Sequence, residues 1–251
     1  MKISIFGLGY VGAVTAACLD RDGHEVVGVD VSADKVALIN GGGPPIVEPG
    51  LGALYRQSKV TATTDVNDAI AKTNVSMISV GTPQTEQGDA DLSQIRHVCQ
   101  QIGHALAAKQ ERHVVVMRST SPPGTLRLAE KWIREAGGDD LDLHLAFNPE
   151  FLREGSAIND YDAPPFTVIG TDSAIAEEAV REMYAKLEAP VIVVEPETSE
   201  MVKYICNAWH AAKISFANEI GRIAQGVGVS GQHAMQIVAT DTKLNVSPCL
   251  L

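Results

Sequence analysis

No stretch of the 251 residues stays apolar for the ~20 positions that a membrane helix requires, so no membrane span is expected. Basic residues are scarce: 20 Lys and Arg stand against 31 Asp and Glu, a net charge of −11 with the histidines neutral. A surface of that sign repels nucleic acid and anionic lipid, which removes both from the expected main partners. An anionic small molecule is not excluded, because helix N-termini bind anions locally. The four cysteines, Cys18, Cys99, Cys206 and Cys249, lie far apart with no CxxC pair. That spacing argues against a zinc site and against a disulfide framework, and it fits a reducing cytoplasm. The N-terminus lacks a charged n-region, an apolar h-region and a cleavage site, so the glycosylation patterns at Asn74 and Asn245 read as chance. Internal repeats and low-complexity segments are also missing. What remains is an ordinary globular composition, 45% hydrophobic and 20% charged, which excludes disordered and fibrous classes.

Short apolar runs alternate with stretches of helical period. Strands are expected at Lys2–Phe6, Glu25–Asp30, Val75–Val80, His113–Arg118, Leu143–Phe147, Phe166–Gly170 and Val191–Val194. Most are continuously apolar, as in strands buried on both faces of a parallel sheet. In Asp91–Leu106 the residues Leu92, Ile95, Val98, Ile102 and Leu106 recur at three- and four-residue steps, the mark of an amphipathic helix. The alternation predicts an α/β fold, a doubly wound Rossmann-type parallel sheet. Gly41–Pro45 and Ser121–Gly124 cannot continue a helix and read as loops. From Ser199 to about Gln225 only Gly221 interrupts a helical run, which predicts one long connecting helix of roughly 40 Å. The expected division is a sheet domain over residues 1–195, then the long helix and the start of a further region over 196–251.

Gly7-Leu8-Gly9-Tyr10-Val11-Gly12 follows the first strand and opens an apolar helix. In this pattern Gly7 permits a tight turn, Gly9 lets the backbone approach a pyrophosphate, and Gly12 allows close packing of helix on strand. The helix N-terminus supplies free N–H groups and positive potential. Asp30 ends the second strand, where a carboxylate accepts from ribose hydroxyls; Val31 after it, rather than Arg, favours NAD over NADP. Lys35 either reaches the adenosine ribose or is a solvated helix cation. Thr82 and Thr120 each follow a strand's carboxyl end, where open α/β sheets place ligands; a hydroxyl there is equally a helix N-cap.

On the long helix Lys203, Asn207, His210 and Asn218 fall at about 0°, 40°, −20° and 60° around the axis, one polar stripe. This is either a solvent face or a site in which the amide donates to an oxyanion and the ammonium balances its charge. Glu150 and Glu154 are four residues apart, so in a helix both would point the same way; either does acid–base work, or Glu154 pairs with a nearby Arg as plain structure.

These residues together resemble the UDP-glucose/GDP-mannose dehydrogenase family. The likeness runs through Phe6–Gly12, Pro45–Leu51, Val80–Pro83, Arg118–Thr120, Asn148–Glu154 and Met201–Gly221, nearly the whole chain. Within the family, Asp160–Pro165 and Cys206–Lys213 resemble most its GDP-mannose-oxidising members. The resemblance implies four-electron oxidation of GDP-mannose, or a related sugar nucleotide, to the uronate, with NAD as cofactor and a cysteine thioester on the way. It implies that Tyr10, Val11, Asp30, Lys35, Thr82 and Thr120 contact NAD, and that Lys203 and Asn207 hold the reacting oxygen. It further implies that Glu150 and Thr120 position water, that Glu154, His210 and Asn218 contact the sugar nucleotide, and that subunits pair through the long helix. No metal is implied.

Family members carry their nucleophilic cysteine in a glycine-rich stretch, followed by a second, sugar-nucleotide-binding domain; neither lies within these 251 residues. Cys249, in Ser247-Pro248-Cys249, lacks that context, and Cys18, Cys99 and Cys206 read as small hydrophobes. The sequence therefore resembles the N-terminal portion of such an enzyme, expected to be inactive by itself. A UDP-glucose dehydrogenase and a catalytically silent NAD-binding or oligomerisation module are the alternatives.

Overall fold

The computed structural model describes residues 1–241. Eight strands form one sheet in the order β3-β2-β1-β4-β5-β6-β7-β8. They are β1 (Lys2–Phe6), β2 (Glu25–Val29), β3 (Thr61–Thr63), β4 (Val75–Ile78), β5 (His113–Met117), β6 (Leu143–Phe147), β7 (Thr167–Gly170) and β8 (Val191–Val194). All seven expected strands are present, several ending one or two residues early. β3 is an addition: three residues of mixed polarity give no apolar run to read. The strands from β3 to β6 are parallel, as expected. The sheet is not wholly parallel, however, for β7 meets β6 antiparallel, through Phe147 and Gly170, and β8 runs parallel to β7.

Alternate residues of each strand feed opposite faces, as a two-residue period requires. Ile3, Ile5, Met77, Val114 and Val116 pack with Val14, Leu19, Ile39 and Met183 on one side. Phe6, Ile78, Val115, Met117 and Phe147 pack with Ile95, Ile102, Leu106 and Ile133 on the other. The helices on these faces are α1 (Tyr10–Arg21), α2 (Ala33–Asn40), α3 (Leu51–Gln57), α4 (Val66–Lys72), α5 (Ser93–Lys109), α6 (Thr125–Gly137), α7 (Ala157–Asp162) and α8 (Ala174–Met183). Capping hydrogen bonds from the Ser32, Asp65 and Ser173 side chains start α2, α4 and α8. α5 and α6 touch backbone to backbone: a Cβ on Gly103 would lie 2.3 Å from the Ile133 carbonyl oxygen, and one on Gly137 would lie 2.3 Å from that of Gly103.

The chain divides into two compact units, 1–203 and 204–251. The helix α9 (Pro196–Gly226, 31 residues) begins in the first and ends in the second, somewhat longer than the sequence indicated. In the second unit α10 (Gly231–Val238) follows a short turn. A Cβ on Gly231 would meet Gly221 Cα at 3.0 Å and Ala224 Cβ at 3.1 Å, so Gly221, the one break in the helical run, is where α10 approaches. No helix among the described residues is long and apolar enough to cross a membrane.

Candidate functional site

The carboxyl ends of β1, β2, β4, β5 and β6 converge on one edge of the sheet, and the glycine loop lies there between β1 and α1. Gly7 has φ +91°, a left-handed backbone that favours glycine, and a Cβ on it would also strike the Ser79 carbonyl oxygen at 2.7 Å. A Cβ on Gly12 would stand 1.9 Å from the Gly7 carbonyl oxygen, so α1 rests directly on the turn. Above Gly9 nothing lies within 4 Å of a Cβ position. Gly9 is the N-cap of α1 and no side chain caps the helix, which leaves the first-turn amides, those of Tyr10 and Val11 included, available to an anion.

Beside the loop is a cleft of about 540 Å³ lined by Gly7, Gly9, Asp30, Lys35, Val80 and Gly81, closed on its far side by Ser93, His97 and Gln101. The Asp30 carboxylate accepts from the Leu8 amide (2.8 Å), the Ser32 amide (2.9 Å) and the Lys35 ammonium (3.2 Å). Burial pushes its pKa up, but the Ser32 and Leu8 amides and the Lys35 cation outweigh that and hold it below the ordinary value. Lys35 is thus neither freely solvated nor independent of Asp30. It fixes the carboxylate at the lip of the cleft. Of the residues lining the cleft, His97 and Gln101 were not apparent from the sequence; they lie off the apolar face of α5 set by Ile95, Cys99 and Ile102, where nothing in the pattern marks them.

A smaller cavity of about 250 Å³ adjoins it, lined by Gly9, Tyr10, Val11, Thr82, Arg118, Thr120 and Glu150. Neither Thr82 nor Thr120 is a helix cap, since Leu92 and Gly124 hold those places. Thr82 instead donates its hydroxyl to the Thr120 carbonyl at 2.7 Å, tying two strand-end loops together. Glu150 and Glu154 do not share a helix face. Residues 148–153 are irregular, Glu150 is buried and Glu154 is exposed. The partner of Glu150 is a residue of α9. Lys203 donates to its carboxylate at 2.7 Å and to its carbonyl at 2.6 Å. Lys203 is only 5% exposed, so the solvent-face reading fails for it. Two of the three ammonium hydrogens are engaged by Glu150, and the head lies 5.4 Å from the Phe151 ring centre. Asn207, His210 and Asn218 belong to the second unit and are exposed on α9.

Two supports of this site were not legible as such. Asn148 accepts from Arg118 at 2.6 Å and donates to the Val168 carbonyl at 2.8 Å, clamping the start of the Glu150 segment between β5 and β7. Glu48, buried, accepts from the Tyr10 hydroxyl at 2.6 Å and from the Gly155 and Ala157 amides, each at 2.9 Å. Its partners stand 38, 107 and 109 positions away, beyond the reach of any spacing argument. Cys18 and Cys99 are buried thiols whose pKa burial pushes up to about 12, which suppresses the thiolate. Cys206 is half-buried, and Cys249 lies outside the described residues.

The model of the NAD binding domain of the UDP-glucose/GDP-mannose dehydrogenase family matches residues 1–188. The chain belongs to this family. The family's central-domain model matches residues 197–249. GDP-mannose 6-dehydrogenase of Pseudomonas aeruginosa is 52% identical over 254 residues, covering 98% of this chain and 58% of that relative. A solved ternary complex of GDP-mannose dehydrogenase from the same species superposes with a TM-score of 0.95 at 51% identity, covering 98% of this chain and 58% of the other. A UDP-glucose dehydrogenase structure from Pyrobaculum islandicum gives 0.92 at 37% identity, covering 96% and 57%. The chain therefore spans a little under three-fifths of the proteins it matches.

The cofactor of this family domain is NAD, and the residues present fit it. The amides at the start of α1 have no cap, the space over Gly9 is open, and the Ser79 hydroxyl, which borders both cavities, is buried without a partner among the described residues. An extended dinucleotide diphosphate supplies acceptors for donors of this kind.

Proposed function

We propose that the protein of which this chain forms the NAD-binding and central portion oxidises the primary alcohol of GDP-mannose to the uronate. The observation that carries this reading is the buried Lys203–Glu150 pair, set at the strand ends beside the glycine loop. NAD, when bound, supplies the hydride acceptor. Gly7, Gly9, Tyr10, Val11, Gly12, Asp30, Lys35, Thr82 and Thr120 hold it, the glycine-loop amides on the diphosphate and Asp30 on a ribose. Lys203 keeps one N–H for the reacting oxygen, and its charge favours that oxygen as an anion. Asn207, one helical turn on, adds an amide donor to the same oxygen. Glu150 fixes the Lys203 head and, with Thr120, orients a water for hydrolysis. Glu154, His210 and Asn218 contact the sugar nucleotide. The division near residue 195, the pairing of two copies through α9 and a place in the cytoplasm complete this reading. The last rests on the free thiols of Cys18, Cys99 and Cys206 among the described residues.

The cofactor half of the proposal is tested on this chain by calorimetry. NAD binds about tenfold or more tightly than NADP, because a 2′-phosphate meets the Asp30 carboxylate, a ~1.4 kcal/mol difference. Asp30→Ala weakens NAD and narrows the gap. NADP binding as tightly as NAD overturns the assignment. For the substrate half, the protein is assayed with NAD and either GDP-mannose or UDP-glucose, following NADH; turnover of UDP-glucose alone overturns it.

A further inference from the structure

Glu48 lies outside the catalytic and cofactor-contacting residues named above, yet it joins the two segments that carry most of them. One carboxylate oxygen accepts from the Tyr10 hydroxyl and the Gly155 amide, and the other from the Ala157 amide. Tyr10 is the first residue of α1 and lines the cavity shared with Thr120 and Glu150. Gly155 and Ala157 close the segment that runs from Glu150 through Glu154 into α7. The turn at residues 154–156 is exposed or half-buried, and Gly155 adopts φ +87°. Within the segment Asp160 accepts from the Arg153 side chain at 2.6 Å and from the Ser156 hydroxyl at 3.0 Å, and the Tyr10 hydroxyl also lies 3.2 Å from the Arg153 carbonyl. The Glu48 side chain, at 8% exposure, adds the ties to the Gly155 and Ala157 amides. A carboxylate this far from water needs donors, and the Tyr10 hydroxyl is its shortest contact of the three.

We propose that Glu48 is a positioning residue that transmits order from the cofactor loop to the segment bearing Glu150 and Glu154. A dinucleotide seated on the first turn of α1 immobilises Tyr10. Tyr10 holds Glu48 in place, and Glu48 then holds the amides of Gly155 and Ala157. Cofactor binding so presets the acidic segment before any sugar nucleotide arrives. The inference rests on the reading of the glycine loop as the NAD site. A purely structural Glu48 would steady the fold equally with and without cofactor; the transmitting role makes the steadiness of residues 155–157 depend on NAD and on one hydroxyl.

The experiment is amide hydrogen exchange of this chain, with and without saturating NAD, in the wild type, Tyr10→Phe and Glu48→Gln. In the wild type NAD slows exchange at residues 7–12 and, by about tenfold, at residues 155–157. In Tyr10→Phe, which removes only the hydroxyl, protection at residues 7–12 persists while that at 155–157 is lost. Glu48→Gln, which keeps the Tyr10 hydroxyl and its contact with the Arg153 carbonyl, gives the same pattern and so separates the Glu48 route from that contact; should it fail to fold, Glu48→Asp takes its place. Protection at 7–12 with none at 155–157 in the wild type overturns this inference and leaves the cofactor site standing. Undiminished protection at 155–157 in Tyr10→Phe also overturns it. No protection at 7–12 in the wild type overturns the cofactor reading, and this inference with it.

Discussion

His113 holds its imidazole where no water reaches, in a polar chain that crosses one face of the sheet. Thr73 donates to Ser4 at 3.1 Å, the Ser4 and Ser76 hydroxyls are 2.8 Å apart, and Ser76 meets His113 Nε2 at 2.8 Å. Burial first, and the nearby Lys109 ammonium second, lower its pKa from 6.5 to about 3. The unfolded chain takes up a proton near the ordinary value and the folded chain does not. The contribution is thus complete above pH 6.5 and falls as the pH drops toward 3, by about 1.4 kcal/mol for each unit. Denaturant unfolding at pH 7.5 and 5.0 should therefore show a steeper loss in the wild type than in His113→Gln, by about 2 kcal/mol. Parallel losses in the two proteins would disprove it. Single residues were also where the sequence was most and least readable. Gly7, Gly9, Gly12 and Asp30 announce themselves because their chemistry is local, confined to one strand–turn–helix unit. Glu48 and the Lys203–Glu150 pair do not, because their partners come from elements far apart in the chain. Glu154 misled for a related reason: a four-residue spacing means a shared face only where the backbone is helical, and Pro149 and Gly155 border a segment that is not.

Among the elements, α5 and α6 depend on a contact that has no side chain in it. Gly103 and Gly137 let the two backbones meet at a distance where even a methyl group collides with a carbonyl oxygen. Gly103→Ala should push α6 off α5 and cost about 1–3 kcal/mol, more than its gain in helix propensity returns. A lowered denaturant midpoint with the same slope is the expected readout; a midpoint at or above wild type would show that the pair yields without strain. Most strands were legible because two-sided burial writes a continuous apolar run. The direction of a strand writes nothing, which is why the reversal of β7 and β8 could not be foreseen. Nor could β3, whose Thr61–Thr63 leans on β2 at the sheet edge and buries only Ala62 fully.

For the molecule as a whole, the second unit presents a large apolar surface. Ile205 and Phe216, at about 200° and 220° from Lys203 around the axis, lie away from the polar stripe of α9 and are more than half exposed; Ile214, at about 20°, is an apolar residue within the stripe and is half exposed. Apolar surface on this scale is uncommon on a chain that remains single. Sedimentation at micromolar concentration should give a dimer, and Ile205→Glu combined with Phe216→Glu should return it to monomer while leaving NAD affinity intact. A wild type that stays monomeric throughout would count against pairing through this helix.

The reversed edge of the sheet also sets the angle at which the long helix starts. β8 ends level with Gly170, whose neighbour across the sheet is Phe147. Ser199, in the first turn of α9, packs on Gly170, and its hydroxyl reaches the Phe147 carbonyl at 3.3 Å. One turn later, Lys203 arrives at Glu150, which is itself three residues past Phe147. Strand end and helix start thus advance together like two gears with one tooth engaged. A helix turns about 100° for each residue, so one residue gained or lost between Val194 and Ser199 would swing the ammonium away from Glu150. The position of Lys203 is therefore phased by a strand edge that never touches it.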